Sequence, residues 1–200
     1  WENNADGGTM STYEAVKHYV TFSSCDACPH QPQRQAVWGM SYAFPPRYIN
    51  RYMGDSPTKF VTRSSMFGGP WILMNRITNW TSSDIQLVRQ EAALYKSLRG
   101  LIRDGKVYHL LGPPNGHSIE AIESFHAEWD RGVVFVYRPD SPASSQTIYP
   151  RGLNPTRTYR VTFQESRDVY TMGGDALMAR GVQVRLPSKN FAEIVYISGY

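Results

Sequence analysis

Two acidic positions near the start of the chain sit beside residues suited to ligand contact. The run Glu2-Asn3-Asn4-Ala5-Asp6-Gly7-Gly8 pairs a carboxylate, Asp6, with two glycines. Glycine lets backbone approach a ligand closely. Ser23-Ser24-Cys25-Asp26 ends in a second carboxylate. By residue type alone, Asp6 reads as a Gly-Gly turn residue and Asp26 as a turn or capping residue, since Asp readily bonds nearby backbone N–H groups. Cys25 and Cys28 supply at most half of a tetrahedral zinc site, and no second Cys or His pair at suitable spacing completes it. They read as a local disulfide or as two free thiols. His18, His30, His109, His117 and His126 are scattered without a metal triad, so no metal or other cofactor is expected. Asn79-Trp80-Thr81 matches a glycosylation sequon, which has meaning only in a eukaryotic secreted protein.

Composition narrows the classes that could use such residues. At 41% hydrophobic and 19% charged, the 200-residue chain can build a real core and does not read as disordered. Its 13 Tyr and 5 Trp are a composition that sugar sites use, but β-sandwich cores and interfaces are aromatic too, and nothing in the sequence places these rings in a pocket, so they read first as structural. The net charge of +4 is spread along the chain, with no Lys/Arg run of the kind that tracks nucleic acid. Apolar stretches are far too short for a membrane span. The chain opens at Trp1 without Met or a signal-type segment, and the expectation is that an upstream portion is absent. Localisation is not legible; an extracellular or periplasmic site stays open, as does a homo-oligomeric state.

The elements that must position these residues alternate over the first half. A short helix is expected around Ser11–Lys17, followed by a buried strand over His18–Ser23 and a helix over Gln33–Tyr42 that Pro45-Pro46 stops. The alternation continues with a strand over Tyr48–Met53, a helix over Thr58–Phe67 and an apolar strand over Trp71–Met74. A long helix from about Ser82 to Asp104 has Thr81–Asp84 as its cap and Ile85, Val88, Ala92, Tyr95 and Ile102 at helical spacing. Leu87, Leu94, Leu98 and Leu101 widen that stripe. Strands alternating with helices predict parallel βα units, roughly four of them counting a strand end at Trp1. A closed (β/α)8 barrel needs eight units and about 250 residues. The choice is therefore an open α/β sheet or the second half of a barrel.

After Gly112-Pro113-Pro114-Asn115-Gly116 the pattern changes. Short β candidates cover Ala121–Trp129, Val133–Arg138, Thr147–Tyr149, Thr158–Gln164, Val182–Leu186 and Ala192–Ile197, with turn residues between them, Gly173-Gly174 included. Regularly spaced short strands predict an antiparallel sandwich.

Together these segments resemble the melibiase-type α-galactosidases of glycoside hydrolase family 36, clan D, in their C-terminal part. Trp1–Gly8 is similar to that family's Phe-Glu-Asn-Cys-(Ala/Ser)-Ser-Gly-Gly loop, and Ser23–Asp26 falls where the family has Trp-Thr-Ser-Asp. Trp38–Ser41 with Phe44-Pro45-Pro46 resembles a Tyr-Gly-Thr-Ser…Tyr-Pro-Pro segment. Glu91–Lys96 with Arg99, Ile102 and Gly105 resembles the eighth barrel helix. Gly152–Pro155 with Tyr159–Val161, and Gly173–Met178 with Gly181, resemble signatures of the C-terminal sandwich. The motifs are individually weak; their order and spacing carry the resemblance.

The resemblance implies a fold of α/β plus all-β class. Residues 1–112 would be the C-terminal half of a catalytic (β/α)8 TIM barrel, strands five to eight and helix eight. Residues 117–200 would be an antiparallel β-sandwich. It implies a retaining glycosidase acting on terminal α-linked galactose-like residues of a carbohydrate substrate, with Asp26 as general acid/base. Retaining enzymes need a second carboxylate roughly 5–5.5 Å away. In the family this nucleophile lies on the fourth barrel strand, which would precede Trp1; none of Glu2, Asp6 or Asp55 is assigned that role. The chain by itself is thus expected to be an inactive fragment. Sugar contacts map to Asn4 and Gly7, with Asp6 within reach of the pocket. Asn4 replaces a Cys, Met10 an Arg and Ser23 a Trp of the family pattern, which leaves the identity of the sugar open. A non-catalytic carbohydrate-binding protein built on the sandwich is the alternative.

Overall fold

A computed structural model of the chain describes residues 1–4, 11–26 and 29–200. The chain divides into two compact units, Trp1–Arg103 and Asp104–Tyr200.

The first unit carries four short strands: β1 (Glu2–Asn3), β2 (Thr21–Phe22), β3 (Arg51–Met53) and β4 (Trp71–Leu73). Between them stand α1 (His30–Met40), joining β2 to β3, and α2 (Lys59–Ser64), joining β3 to β4; α3 (Ser82–Asp104) follows β4. The strands pair in parallel and in chain order. Asn3 lies opposite Phe22, Phe22 forms a parallel bridge to Ile49, and Arg51 lies opposite Trp71. The parallel pairing expected from the alternation is therefore present, with shorter strands than the apolar runs suggested. The helix expected over Ser11–Lys17 shrinks to one 3-10 turn, Ala15–Lys17.

α3 spans the residues the sequence predicts. Its start is a reciprocal cap: Thr81 Oγ1 accepts from the Asp84 N–H at 3.2 Å, and Asp84 Oδ2 accepts from the Thr81 N–H at 2.9 Å. Hydrogen bonds from the Thr81 side chain and backbone hold the Asp84 carboxyl below its usual range. The buried stripe is narrower than expected, comprising Val88, Glu91, Leu98 and Ile102, while Ile85 in the first turn is exposed. A helix stripe at three- and four-residue steps leaves flanking Leu87, Leu94 and Leu101 only half-buried.

Glu91 belongs to that stripe because Arg63 of α2 meets it. Arg63 Nε and Nη2 reach Glu91 Oε2 and Oε1, each at 3.0 Å, with the arginine side chain 1% exposed. This two-pronged pair ties α2 to α3.

The second unit is mostly antiparallel sheet. β5 (Lys106–His109), β6 (Glu120–His126), β7 (Arg131–Arg138), β9 (Thr158–Phe163), β10 (Val169–Gly173) and β12 (Phe191–Gly199) form a six-stranded sheet in the order β10-β9-β12-β7-β6-β5. β8 (Ser145–Ile148) and β11 (Val182–Arg185) form a two-stranded sheet. Both sheets contribute to one core, with Val134, Val136, Val161, Val195 and Ile197 from the larger and Ile148, Val182 and Val184 from the smaller.

Three elements of this unit were not legible in the sequence. β5 pairs with β6 ahead of the Gly-Pro-Pro segment. β10 follows Arg167, whose positive φ turns the chain. α4 (Gly174–Arg180) starts where Gly173-Gly174 read as a turn. Gly174 is required there because a Cβ would collide with the Asn154 carbonyl, and Gly181 ends the helix at φ 69°.

Glu123 lies on the core side of β6, opposite Tyr108 and Val134, and is fully buried. Its Oε2 accepts the Arg151 N–H at 2.8 Å, while Oε1 has no partner among the described residues. Burial pushes the carboxyl from 4.5 up to about 8, only partly offset by that N–H and the Arg151 charge. The native state thus keeps a proton that the unfolded chain releases at lower pH. Stability is full below about 4.5, falls as pH rises towards 8, and levels off above it, with a slope of up to about 1.4 kcal/mol per pH unit.

Thermal unfolding at a series of pH values should therefore show Glu123→Gln gaining stability over the parent at pH 8 and little at pH 4.5. In urea unfolding, Glu91→Ala should lose about 3–5 kcal/mol because it removes the two-pronged carboxylate partner of the buried Arg63 charge. The joint change Arg63→Met with Glu91→Leu should recover most of that loss.

Candidate functional site

Parallel pairing in chain order sends every strand of the first unit in one direction. The residues after the strands consequently gather on one rim: Asn4 after β1, Ser23 to Asp26 after β2, Gly54 and Asp55 after β3, Met74 and Asn75 after β4. Asn3 lies opposite Phe22, so Asn4 and Ser23 are next along adjacent strands, and the Ser23 N–H donates to the Asn3 carbonyl at 2.9 Å.

The hydroxyl of Tyr52, on β3, links these ends. It lies 3.1 Å from Asn4 Oδ1, 3.3 Å from Ser23 Oγ and 3.4 Å from Glu2 Oε1, and it accepts from Asn50 Nδ2 at 3.3 Å. A hydroxyl carries one proton, so it donates to one of the first three at a time. Asn50 also donates to Glu2. Ser23, where the family pattern has Trp, is fully buried within this cluster.

Asp26 lies two residues beyond the buried Ser24 and is exposed. Behind it, Arg51 is fully buried and donates to Ser24 Oγ at 2.6 Å and to the Gln33 carbonyl of α1. Gln33 Oε1 in turn accepts the Tyr52 N–H at 3.1 Å. The segment leading to Asp26 is therefore fastened at Ser23 to Tyr52 and at Ser24 to Arg51.

On the same rim, His30 and Asp55 form a close pair. Asp55 Oδ2 accepts from the His30 N–H at 2.9 Å and meets its Nδ1 at 2.6 Å, so one carboxylate both caps α1 and fixes the imidazole. The His30 ring also stands edge-on to Phe60 at 5.3 Å. Asn75 Nδ2 donates to the Gly54 and Asp55 carbonyls at 2.8 and 3.0 Å, holding the turn that carries Asp55.

The structure thus brings Asn4 and the strand end leading to Asp26 to one rim. Asp6, Gly7 and Cys28 lie outside the described residues. Sequence reasoning missed Tyr52, for which the available signal was a hydrogen-bonding pair, Asn50 and Tyr52, at strand spacing inside the expected strand Tyr48–Met53. It also missed the coupling of His30 to Asp55, which no spacing reveals because 25 residues separate them. No cluster of three or more His, Cys, Asp or Glu side chains suited to a metal ion occurs among the described residues. No helix among them is long and apolar enough to cross a membrane.

The second unit carries the decisive likeness. Residues 120–197 match the glycosyl hydrolase family 36 C-terminal domain. The resemblance to the C-terminal part of family 36 α-galactosidases is borne out. α-Galactosidase AgaA of Geobacillus stearothermophilus is 32% identical over 123 residues, which are 60% of this chain and 16% of that protein. α-Galactosidase 1 of Pediococcus pentosaceus is 26% identical over 176 residues, 80% of this chain and 22% of that protein. The chain spans less than a quarter of the length of either relative. The crystal structure of the family 36 α-galactosidase AgaB from Geobacillus stearothermophilus superposes on the whole chain with a TM-score of 0.84 at 22% identity, using 28% of its own length. At that identity the superposition speaks for the fold.

The segments that resemble family 36 signatures have visible structural work. Tyr159 accepts the Asn154 N–H at 2.8 Å and donates to Asp130 Oδ1 at 2.6 Å, so the Gly152–Pro155 segment is pinned to the β6–β7 turn. Removing the Tyr52 hydroxyl should unfasten the rim of the first unit. Tyr52→Phe is expected to lose about 1–2 kcal/mol in urea unfolding and to speed amide exchange at Ser23. An unchanged midpoint and unchanged exchange would show that the hydroxyl holds nothing.

Proposed function

We propose that this chain is the C-terminal part of a retaining α-galactosidase-type glycoside hydrolase that removes terminal α-linked galactose-like residues from oligosaccharides or glycoconjugates. Residues 1–112 would supply strands five to eight and helix eight of a (β/α)8 barrel, and residues 117–200 a β-sandwich. β5, inside the first span, hydrogen-bonds into the sheet of the second, so the barrel part would end with α3. The observation that carries the reading is the placement of Asp26: it follows the C-terminal end of a parallel strand, on the rim where barrel enzymes build their sites. Asn4 follows the neighbouring strand. Among structural relatives, a substituted AgaA from Geobacillus stearothermophilus was solved in complex with raffinose, with a TM-score of 0.83 to this chain at 21% identity.

In this mechanism a second carboxylate, from polypeptide outside this chain, attacks the anomeric carbon. Asp26 gives its proton to the departing oxygen. It then takes a proton from the water that cleaves the glycosyl–carboxylate bond. Asn4 offers both a donor and an acceptor to a sugar hydroxyl near the 2-position. Gly7 lets backbone approach the same region, and Asp6 lies within reach of the pocket.

In the full-length protein, Asp26→Asn should lower kcat/KM on raffinose by about 10²–10⁴-fold. Aryl α-galactosides whose phenol leaves without protonation should lose far less, and azide should restore turnover by capturing the glycosyl-enzyme. An equal loss across leaving groups, or none, would contradict the assignment. The 200-residue chain alone should not turn over an aryl α-galactoside; turnover that Asp26→Ala abolishes would overturn the claim that the nucleophile lies elsewhere.

A further inference from the structure

The two sheets of the second unit are unequal, and the mismatch leaves a groove. Tyr170 lies opposite Val161 and Met172 opposite Tyr159, so both point to the core side of the larger sheet. Among the described residues, β8 and β11 are the strands that oppose that side. β10, the last strand of the six, lies at the margin of this cover, and Tyr170 is 45% exposed. The result is a cavity of about 210 Å³ lined by Phe163, Tyr170 and Met172 from the larger sheet, with Asp168, Gln183 and Arg185 at its polar sides.

We propose that this groove of the second unit is a carbohydrate-binding site that holds one pyranose ring. Three features fit that ligand chemistry. First, the floor is an aromatic face held in place: Phe163 stands edge-on to Tyr170 at 5.8 Å and 80°. A fixed aromatic ring offers the C–H face of a sugar a large contact at small entropic loss. Second, the polar side chains are uncommitted. Among the described residues, no ion pair or hydrogen bond engages the side chains of Asp168, Gln183 or Arg185; Asp168 bonds to Ser166 only through its backbone N–H. An acceptor, an amide and a guanidinium around one cavity match the mixed donors and acceptors of vicinal hydroxyls. Third, the rim is anchored. The buried Glu193 carboxylate accepts the Glu165 and Ser166 N–H groups at 2.8 and 3.2 Å, fixing the β9–β10 turn that delivers Asp168. β11 adds an edge, away from β8, that no other strand pairs among the described residues.

The sugar class follows from the groove. Its galactose configuration rests on the proposed function. The site does no chemistry; it would hold one sugar unit of a glycan on the second unit.

The test is an NMR titration of the 200-residue chain carrying Asp26→Ala, with methyl α-galactoside, methyl α-glucoside and raffinose as probes. Binding alone is read, so a failure of the catalytic assignment does not disturb the outcome. Amide shifts over residues 166–172 and 181–185 with at least one probe are expected, and Tyr170→Ala or Asp168→Asn should weaken them by more than about tenfold. Shifts with the glucoside alone would keep the groove and refute the galactose reading. Absence of shifts in these segments with every probe, or shifts unaltered in both variants, would overturn the proposal. Both variants change exposed or half-buried side chains, and retained dispersion of the core amides confirms that they fold.

Discussion

Parallel pairing in chain order is the constraint on which the first unit depends. A strand followed by a helix and a parallel strand must return to its starting edge before it can pair again. Every strand therefore ends on the same side. That single geometric fact places Asn4, Ser23 to Asp26, Asp55 and Asn75 together, although up to 71 positions separate them in the chain. Short strands suffice because each strand end is held by side chains as well as by its ladder. Tyr52 fastens Asn4 and Ser23, Arg51 fastens Ser24 and α1, and Asp55 fastens the first turn of α1.

The buried polar groups divide by purpose. Arg63 and Glu91 pair with each other across two helices. Arg51 and Arg138 instead donate mainly to backbone carbonyls: Arg51 to Asn50 and Gln33, and Arg138 to Ser141, Leu186 and Pro142. Such arginines organise irregular segments that cannot bond to a strand neighbour. Among the described residues, Glu123 has no basic side chain bonded to it: one oxygen accepts a backbone N–H and the other has no partner, and the protonated form is the one that the fold favours.

How much of this was legible depended on how local each signal is. α3 was readable to its ends because its cap residues, its apolar spacing and its terminal Arg103 all lie within it. The short strands were located by apolar runs, but their lengths were overread, because runs such as His18–Ser23 include residues whose backbone bonds to turns and not to a ladder. α4 was hidden by Gly173-Gly174, where glycine serves a close backbone approach and not a turn. β5 and β10 are sheet margins whose half-exposed sequences look like connections. For the candidate site, Asp26 and Asn4 were singled out only through resemblance. Tyr52 and the His30–Asp55 contact depend on residues brought together by the fold, and single-sequence spacing carries no trace of such meetings.

The account turns on where the Asp26 carboxyl points when a sugar is bound. A crystal structure of the full-length protein with a galactose-configured iminosugar measures this directly. The account predicts an Asp26 oxygen within hydrogen-bond distance of the ligand on the side of the departing group, a second carboxylate roughly 5–5.5 Å away, and Asn4 at the sugar's hydroxyls. A ligand seated on the rim with Asp26 turned towards solvent, or another acid in the protonating position, would contradict it.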